Sequence, residues 1–300
     1  MFLPSIFIYL LRILLLAIIL TIVNIISGIG SGLASLDASP SPDEAGNAFL
    51  ILLGVNLMNA FLVSIVLVRS PWRGWKLVLA VGGIYFGIST FMPQLETWFF
   101  GEAMGINHTL LAQFILSGAI TTVFFAPIAV LIFRKGKGKS ESVASPAWQI
   151  TGLHWKLPVL TLLYVLLYFV FGYYIAWQSL MVRLYYTRST EILPFIQHIG
   201  NLLKSDTNLF FFQVFRGILW TGFVWLILQC CKGKKWELAL FTGLLLGLLL
   251  TIPLFLPNPF MPRTVRMIHF VETASSTFLF GVIAALLLTS RKESRSTTLV

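Results

Sequence analysis

Three ionisable residues stand three positions apart near the start of the last apolar run of the chain: Arg266, His269 and Glu272. On a helix, His269 and Glu272 fall on one face, where an imidazole and a carboxylate can exchange a proton or act as general base and acid. Gln213 and Arg216 have the same spacing within an earlier apolar run. Ionisable groups inside long apolar segments are costly and usually face a protein interior or a wet cavity, so these residues are the first candidates for function.

The composition shows which kind of molecule must position these residues. Of the 300 residues, 57% are hydrophobic and 11% are charged, and the mean hydropathy is +0.88. Soluble domains carry about 25% charged residues. The composition therefore excludes a soluble globular enzyme, a disordered chain and a secreted disulfide scaffold, and it predicts a multi-pass membrane protein.

Eight apolar runs are long enough, or nearly so, to cross a bilayer as helices. They cover residues 5–28, 47–69, 75–93, 110–133, 157–181, 209–231, 236–256 and 266–290. None alternates with period 2 over ten residues, which argues against an outer-membrane barrel. The predicted fold is therefore an all-α, polytopic membrane bundle of about eight transmembrane helices.

Lys and Arg concentrate in the connections after the second, fourth and sixth runs and in the tail. With eight spans these segments share one side, which the positive-inside rule assigns to the cytoplasm. We therefore expect a protein of the cytoplasmic membrane with both termini cytoplasmic. The alternative is that the first run is a cleaved signal peptide, although it is longer than a usual signal core.

A polar break divides the runs into two groups of four. The predicted units are an N-terminal membrane half (1–133), a cytoplasmic linker (134–156), a C-terminal membrane half (157–290) and a cytoplasmic tail (291–300). A parallel repeat of the two halves is a hypothesis that rests on weak similarity.

The long outer loop 181–208 contains apolar residues at helical spacing, which indicates either a helix lying flat at the interface or a lid on a cavity.

Depth along the helices predicts a shared polar layer in the outer half of the membrane. Arg216 and Glu272 both lie about 10 Å below the outer ends of their helices, so an ion pair between them is geometrically feasible. The other polar residues predicted at this layer, or nearer the centre, are Gln113, Gln178, Asn56 and Asn59. The layer is either a binding pocket that opens outward or a network that locks the bundle.

Other motifs add little chemistry. His269 and Glu272 could form a metal site with His108 and His198, but no HExxH motif is present and we predict no metal. Nucleotide and other cofactor motifs are missing from the sequence, so no cofactor is expected, and no basic soluble domain suggests nucleic acid. Gly243 and Gly247 form a GxxxG pair, which predicts close helix packing either inside the bundle or in a homodimer.

Three functional hypotheses follow from these features. The first is a secondary carrier or permease for a small solute or ion, coupled to protons through Glu272. The second is a membrane-embedded enzyme or lipid-handling protein in which His269 and Glu272 act as base and acid. The third is a non-catalytic scaffold or partner subunit. The lipid bilayer is the common partner in all three.

Overall fold

The computed structural model describes residues 3–33, 47–101, 105–137, 148–150 and 152–291. Within these residues, eight helical segments are long and apolar enough to span a membrane, at the positions of the eight predicted runs. Helices are the expected solution because lipid offers the backbone no hydrogen-bond partners. The chain is thus an integral, multi-pass membrane protein with an all-α fold, as the sequence predicts.

Seven of these segments contain one α-helix each, and the third contains two. The spanning helices are α1 (Leu3–Gly30), α2 (Ala48–Arg69), α3 (Gly74–Phe86) continued by α4 (Met92–Phe100), α5 (His108–Ile132), α6 (Leu153–Phe171), α9 (Thr207–Cys230), α10 (Lys235–Thr251) and α11 (Arg263–Leu288). Two shorter helices, α7 (Leu180–Thr187) and α8 (Phe195–Ser205), lie between α6 and α9, and the short strands are β1 (Trp148–Ile150) and β2 (Thr289–Arg291).

Apolar side chains cover both the inside and the outside of the bundle. Leu16 of α1 and Trp220 of α9 are fully buried in the central core. Phe7 of α1 and Leu79 of α3 remain 68% and 72% exposed. Such exposure of large apolar side chains along whole helices is what a surface in contact with lipid requires, since lipid tails are as apolar as the side chains themselves.

Two π-helical turns interrupt the spans and shift their predicted ends. The turn Gly87–Phe91 precedes Pro93, which falls in the first turn of α4, where a proline is tolerated because no intrahelical donor is needed. The third span therefore continues to Phe100 and does not end at 93. The turn Gly172–Ala176 ends the fifth span earlier than the predicted residue 181.

The long loop 181–208 is largely helical. The predicted amphipathic stretch forms α8, whose apolar residues Ile199, Leu202 and Leu203 pack against the buried cluster of Val165, Phe169 and Leu209. The preceding helix α7 was not predicted. Both short helices therefore lie across the same end of the bundle, opposite the end that carries the Lys- and Arg-rich connections, which we call the basic end.

At the basic end the two strands join distant parts of the chain. β1 and β2 pair antiparallel, with Trp148 opposite Arg291 and Ile150 opposite Thr289. The end of the predicted linker is thereby attached to the end of α11. Linker residues 138–147 and tail residues 292–300 lie outside the described residues.

The GxxxG pair is used within the bundle. A side chain on Gly243 would meet Phe278 and Val282 of α11, and one on Gly247 would meet the carbonyl oxygen of Ala274 at 2.8 Å. These glycines let α10 approach α11 closely. The face that we considered for a homodimer is therefore occupied by a helix of the same chain.

We predict that Gly247→Ala lowers stability by about 1–3 kcal/mol, because the added methyl group collides with the α11 backbone. Gly222→Ala is the matched control, since a side chain at Gly222 meets no atom within 4 Å. Thermal unfolding of the purified protein in detergent measures both. Equal melting temperatures for the two variants would contradict the close packing of α10 on α11.

Candidate functional site

Arg216 of α9 is the most deeply buried charge in the described bundle, at 1% exposure of its side chain. Its Nη1 donates hydrogen bonds to Oε1 of Glu96 at 2.5 Å and to Oε1 of Gln213 at 3.1 Å. The expected ion pair with Glu272 is therefore replaced by a pair with Glu96, whose side chain is 33% exposed. The third apolar run was predicted to end at residue 93, which left Glu96 outside the predicted spans.

Close packing of α9 on α6 brings this pair to the centre of a group of aromatic rings. Gly217 faces Thr161, and a side chain at Gly217 would lie 3.1 Å from the Thr161 backbone. The Arg216 guanidinium carbon lies 5.8 Å from the ring centroid of Tyr164 and 5.7 Å from that of Phe212. At such distances the ring faces attract the cation and help to offset its desolvation.

Two buried donors at this position have no acceptor among the described residues. They are Nε of Arg216 and Nε2 of Gln213, and Gln213 is fully buried. A buried donor without an acceptor costs about 1–3 kcal/mol. Natural bundles rarely retain such groups unless a ligand or water completes them, so these two donors mark a place where an acceptor-bearing ligand could bind.

A second group of polar residues forms a hydrogen-bonded chain on α11. Nδ1 of His269 lies 3.3 Å from Oε2 of Glu272, and Nε2 of His269 lies 3.1 Å from the hydroxyl of Tyr186 on α7. Thr273 donates to the same Oε2 at 2.8 Å. The side chains of His269 and Glu272 are 20% and 9% exposed. Such a chain can hold or pass a proton between a carboxylate, an imidazole and a hydroxyl.

Tyr168 of α6 is near charged residues of both groups. It is within electrostatic range of Glu96, Arg216 and Glu272. We therefore treat seven residues as one unit, called the polar site: Glu96, Tyr168, Tyr186, Gln213, Arg216, His269 and Glu272. Its members come from α4, α6, α7, α9 and α11.

The helices α7 and α8 cover the polar site at the end opposite the basic end. Tyr185 of α7 donates to the carbonyl oxygen of Phe260 at 2.7 Å, which fixes α7 against the connection before α11. Burial raises the pKa of Tyr186, and the nearby carboxylates of Glu96 and Glu272 add to this effect. The Tyr186 hydroxyl therefore stays protonated at physiological pH and is available as a hydrogen-bond donor.

His198 holds α8 on the bundle through ring contacts. Its imidazole packs at a tilt against the rings of Trp177 and Tyr173, with centroid distances of 4.8 Å and 5.5 Å. Burial lowers the pKa of His198. The neutral imidazole is therefore the form that packs here, and protonation works against the contact.

Arg266, also a predicted site residue, has a structural role. Its guanidinium is 2% exposed and donates to the carbonyl oxygens of Leu254, Asn258 and Met261. These carbonyls belong to the connection between α10 and α11. Arg266 thus orders that connection.

The predicted polar layer is divided in the structure, because Asn56 belongs to a separate hydrogen-bonded network that joins α1, α2 and α5. Asn56 of α2 bonds to Asn24 at 2.9 Å and to Thr21 at 3.1 Å, and Thr121 of α5 donates to Asn24 at 3.1 Å. This neutral network links three helices, and no member of the polar site takes part in these bonds. Asn59 is buried nearby on the same helix, and its Oδ1 has no partner among the described residues.

The two remaining glutamines of the predicted layer also lie elsewhere. The Gln113 amide lies against Gly32 beyond the end of α1. Gln178 follows the fifth span, and its amide donates to the carbonyl oxygen of Tyr173 at 3.0 Å. Gln178 therefore satisfies a helix end, a common use for an amide side chain.

Sequence reasoning missed Glu96, Tyr168 and Tyr186 as site residues. Proline is common in the first turn of a helix, so Pro93 could have been taken as the start of a helix that carries Glu96. No comparable signal pointed to Tyr186, which reaches His269 from 83 residues away in the chain. Among the described residues no group of three or more His, Cys, Asp or Glu could hold a metal ion.

We predict that Glu96→Gln destabilises the protein by about 3 kcal/mol, because it leaves the buried Arg216 without a counter-charge. The double variant Glu96→Gln with Arg216→Gln should recover part of the lost free energy of unfolding. A double-mutant cycle on unfolding free energies measures the coupling, and a parallel cycle with Glu272→Gln is the control. Stronger coupling of Arg216 to Glu272 than to Glu96 would overturn the pairing.

We predict that acidification loosens α8. Because folding lowers the pKa of His198 from its ordinary value of 6.5, its packing contributes fully above that pH and is lost as pH falls below it. Hydrogen exchange over residues 195–205, corrected for intrinsic rates, should rise at pH 5 relative to pH 7.5. His198→Phe should abolish this rise and His108→Phe should leave it. A rise that persists in His198→Phe would exclude His198 as its cause.

No protein-family model matches the chain, and neither a curated protein nor a solved structure shows significant similarity to it. The chemistry of the polar site is therefore inferred from its own residues.

Proposed function

We propose that the protein is a secondary carrier for a small solute, with the polar site as its binding and proton-coupling site. The observation that carries this proposal is the pair of buried, unpartnered donors on Arg216 and Gln213 beside the Tyr186–His269–Glu272 chain. Carriers need a solute site and an ionisable group within the membrane-embedded part of the bundle.

The chemistry of the donors suggests the class of solute. Arg216 already donates a hydrogen bond from Nη1 to Glu96, and its Nε remains for a second acceptor. Gln213 adds a neutral amide donor next to it. A carboxylate is the group that best fits a guanidinium and an amide together, because it accepts two bonds and carries charge. We infer that the solute is a small carboxylate or a similar acceptor-rich molecule.

Glu272 is the favoured proton-coupling residue. Its Oε2 accepts bonds from Thr273 and pairs with His269, whereas none of these bonds uses Oε1. The side chain of Glu272 is 9% exposed and contacts an imidazole, so a proton passed between the two groups would stay inside the bundle. By the positive-inside rule the polar site would lie in the non-cytoplasmic half of the membrane.

A membrane-embedded enzyme is the second candidate, and one observation favours it. His269 is oriented on one nitrogen by Glu272 and contacts the Tyr186 hydroxyl with the other. An imidazole held by a carboxylate is the arrangement of a general base that activates a hydroxyl. A lipid entering between α7 and α11 would be the natural substrate of such a base.

We predict that Glu272→Gln abolishes proton-coupled uptake, because the amide cannot take or release a proton. The assay uses proteoliposomes that contain the pH dye pyranine, challenged with succinate, glutamate or citrate across an imposed pH gradient. Glu191→Gln, an exposed carboxylate in the connection before α8, is the matched control and should keep wild-type flux.

The two candidates give opposite results in this experiment. Flux that persists in folded Glu272→Gln would refute the coupling role. Turnover of phospholipids by the wild-type protein in detergent, followed by mass spectrometry and lost in Tyr186→Phe, would favour the enzyme, since an enzyme needs no sealed compartment. Loss of folded protein in both Glu272→Gln and Arg216→Gln, with no flux in the wild type, would favour a scaffold.

A further inference from the structure

Buried polar atoms without partners collect where α9 packs against α6. Within the described residues, nine buried side-chain polar atoms have no hydrogen-bond partner. Four of these atoms belong to α6 and α9: Nε2 of Gln213, Nε of Arg216, Nε1 of Trp220 and Oγ1 of Thr161. Native proteins retain few such atoms, so four of them at one helix contact call for a common explanation.

The four atoms follow a line from the polar site toward the centre of the bundle. Gln213, Arg216 and Trp220 stand at positions i, i+3 and i+7 of α9 and therefore share one face of that helix. Thr161 of α6 lies opposite, because a side chain at Gly217 would lie 3.1 Å from the Thr161 backbone. At a rise of about 1.5 Å per residue, Trp220 lies about 20 Å from the first residue of α9.

Tyr164 of α6 adds a hydroxyl to this line. Its ring centroid lies 5.8 Å from the guanidinium carbon of Arg216. Nε1 of Trp220 is near the Tyr164 side chain but forms no hydrogen bond with it. Polar groups that are close to each other without bonding directly are often joined by a water molecule.

The two ends of the line differ in polarity. At one end, Glu96 pairs with Arg216 and keeps 33% of its side chain exposed. Beyond Trp220, toward the basic end, the next residues on the same face of α9 are Val224 and Ile227, and both are fully buried. The line is therefore polar and partly exposed at Glu96 and apolar beyond Trp220.

We propose that this line is a water-filled inlet, in which buried water molecules bond to Thr161, Tyr164, Arg216 and Trp220. A buried water makes about three hydrogen bonds, typically to groups that have no other partner. A carboxylate solute takes the donors of Gln213 and Arg216, whereas the close contact of α6 with α9 at Gly217 leaves the inner part to water. The inlet carries protons between the polar site and the middle of the bundle, and only this use rests on the carrier function proposed above.

Hydroxyl radicals generated from water by X-rays test the inlet in the wild-type protein in detergent. Side chains next to bound water are oxidised even where they are buried, and mass spectrometry locates the oxidised residues. Tyr164 and Tyr85 form a matched pair, because both are 5% exposed and Tyr85 packs against Phe125 of α5. Tyr164 and Trp220 should be oxidised several times faster than Tyr85. Equal protection of Tyr164 and Tyr85 would overturn the inlet.

Thr161→Val tests the same inlet through stability, because it removes the hydroxyl and keeps the shape of the side chain. Loss of a bond to water should lower the melting temperature by about 2–4 °C. Thr242→Val is the matched control, since Oγ1 of Thr242 is also buried without a partner but belongs to α10. There the loss of an unsatisfied hydroxyl should raise the melting temperature by about 2–4 °C. A rise for Thr161→Val, or equal changes in the two variants, would overturn the inlet.

The inlet and the carrier function can fail separately. Oxidation of Tyr164 without solute flux in proteoliposomes would support the inlet and refute its use in transport. Proton-coupled flux with Tyr164 as protected as Tyr85 would support the carrier and overturn the inlet. Where both hold, Thr161→Val should slow the pyranine response severalfold and leave the affinity for succinate, measured by calorimetry, at the wild-type value. An unchanged pyranine response would overturn the role of the inlet in carrying protons.

Discussion

The desolvated guanidinium of Arg216 is the interaction on which the arrangement of the polar site depends. Taking this charge out of water costs several kcal/mol, which only a counter-charge and further acceptors inside the bundle can offset. Glu96 and Gln213 supply them. To bring Glu96 into place the third span must continue beyond Pro93, and α9 must approach α6 at Gly217. The π turn before Pro93 and the close contact at Gly217 thus both help to place partners around the buried guanidinium of Arg216.

The sequence predicted what depends on hydropathy and on neighbours along the chain. The eight spans follow from the length that a bilayer imposes, and the contact of His269 with Glu272 follows from helical spacing. The partner of Arg216 did not follow, since Glu96 stands 120 residues away and its selection depends on how α4 packs against α9. The equal depth of Arg216 and Glu272 in the membrane made them suitable partners, but depth does not show which helices are neighbours.

Neutral polar residues and ionisable residues form two separate groups in the bundle. Amides and hydroxyls join α1, α2 and α5, where neutral hydrogen bonds stabilise helix packing at little cost in desolvation. Ionisable groups gather on α4, α9 and α11, with the Glu96–Arg216 pair joining α4 to α9 and His269 beside Glu272 on α11. Because α4 belongs to the predicted N-terminal half and the others to the predicted C-terminal half, the polar site draws on both.

The pairing of β1 with β2 has a mechanical consequence for that site. Three residues before α6 are bound to the three residues after α11, so the two helices share an anchor at the basic end. Tyr168 and Glu272 lie on these two helices, far from that anchor. A shared anchor at one end limits relative movement of the two helices to a pivot about that end, so a change in the distance between this tyrosine and this carboxylate requires such a pivot.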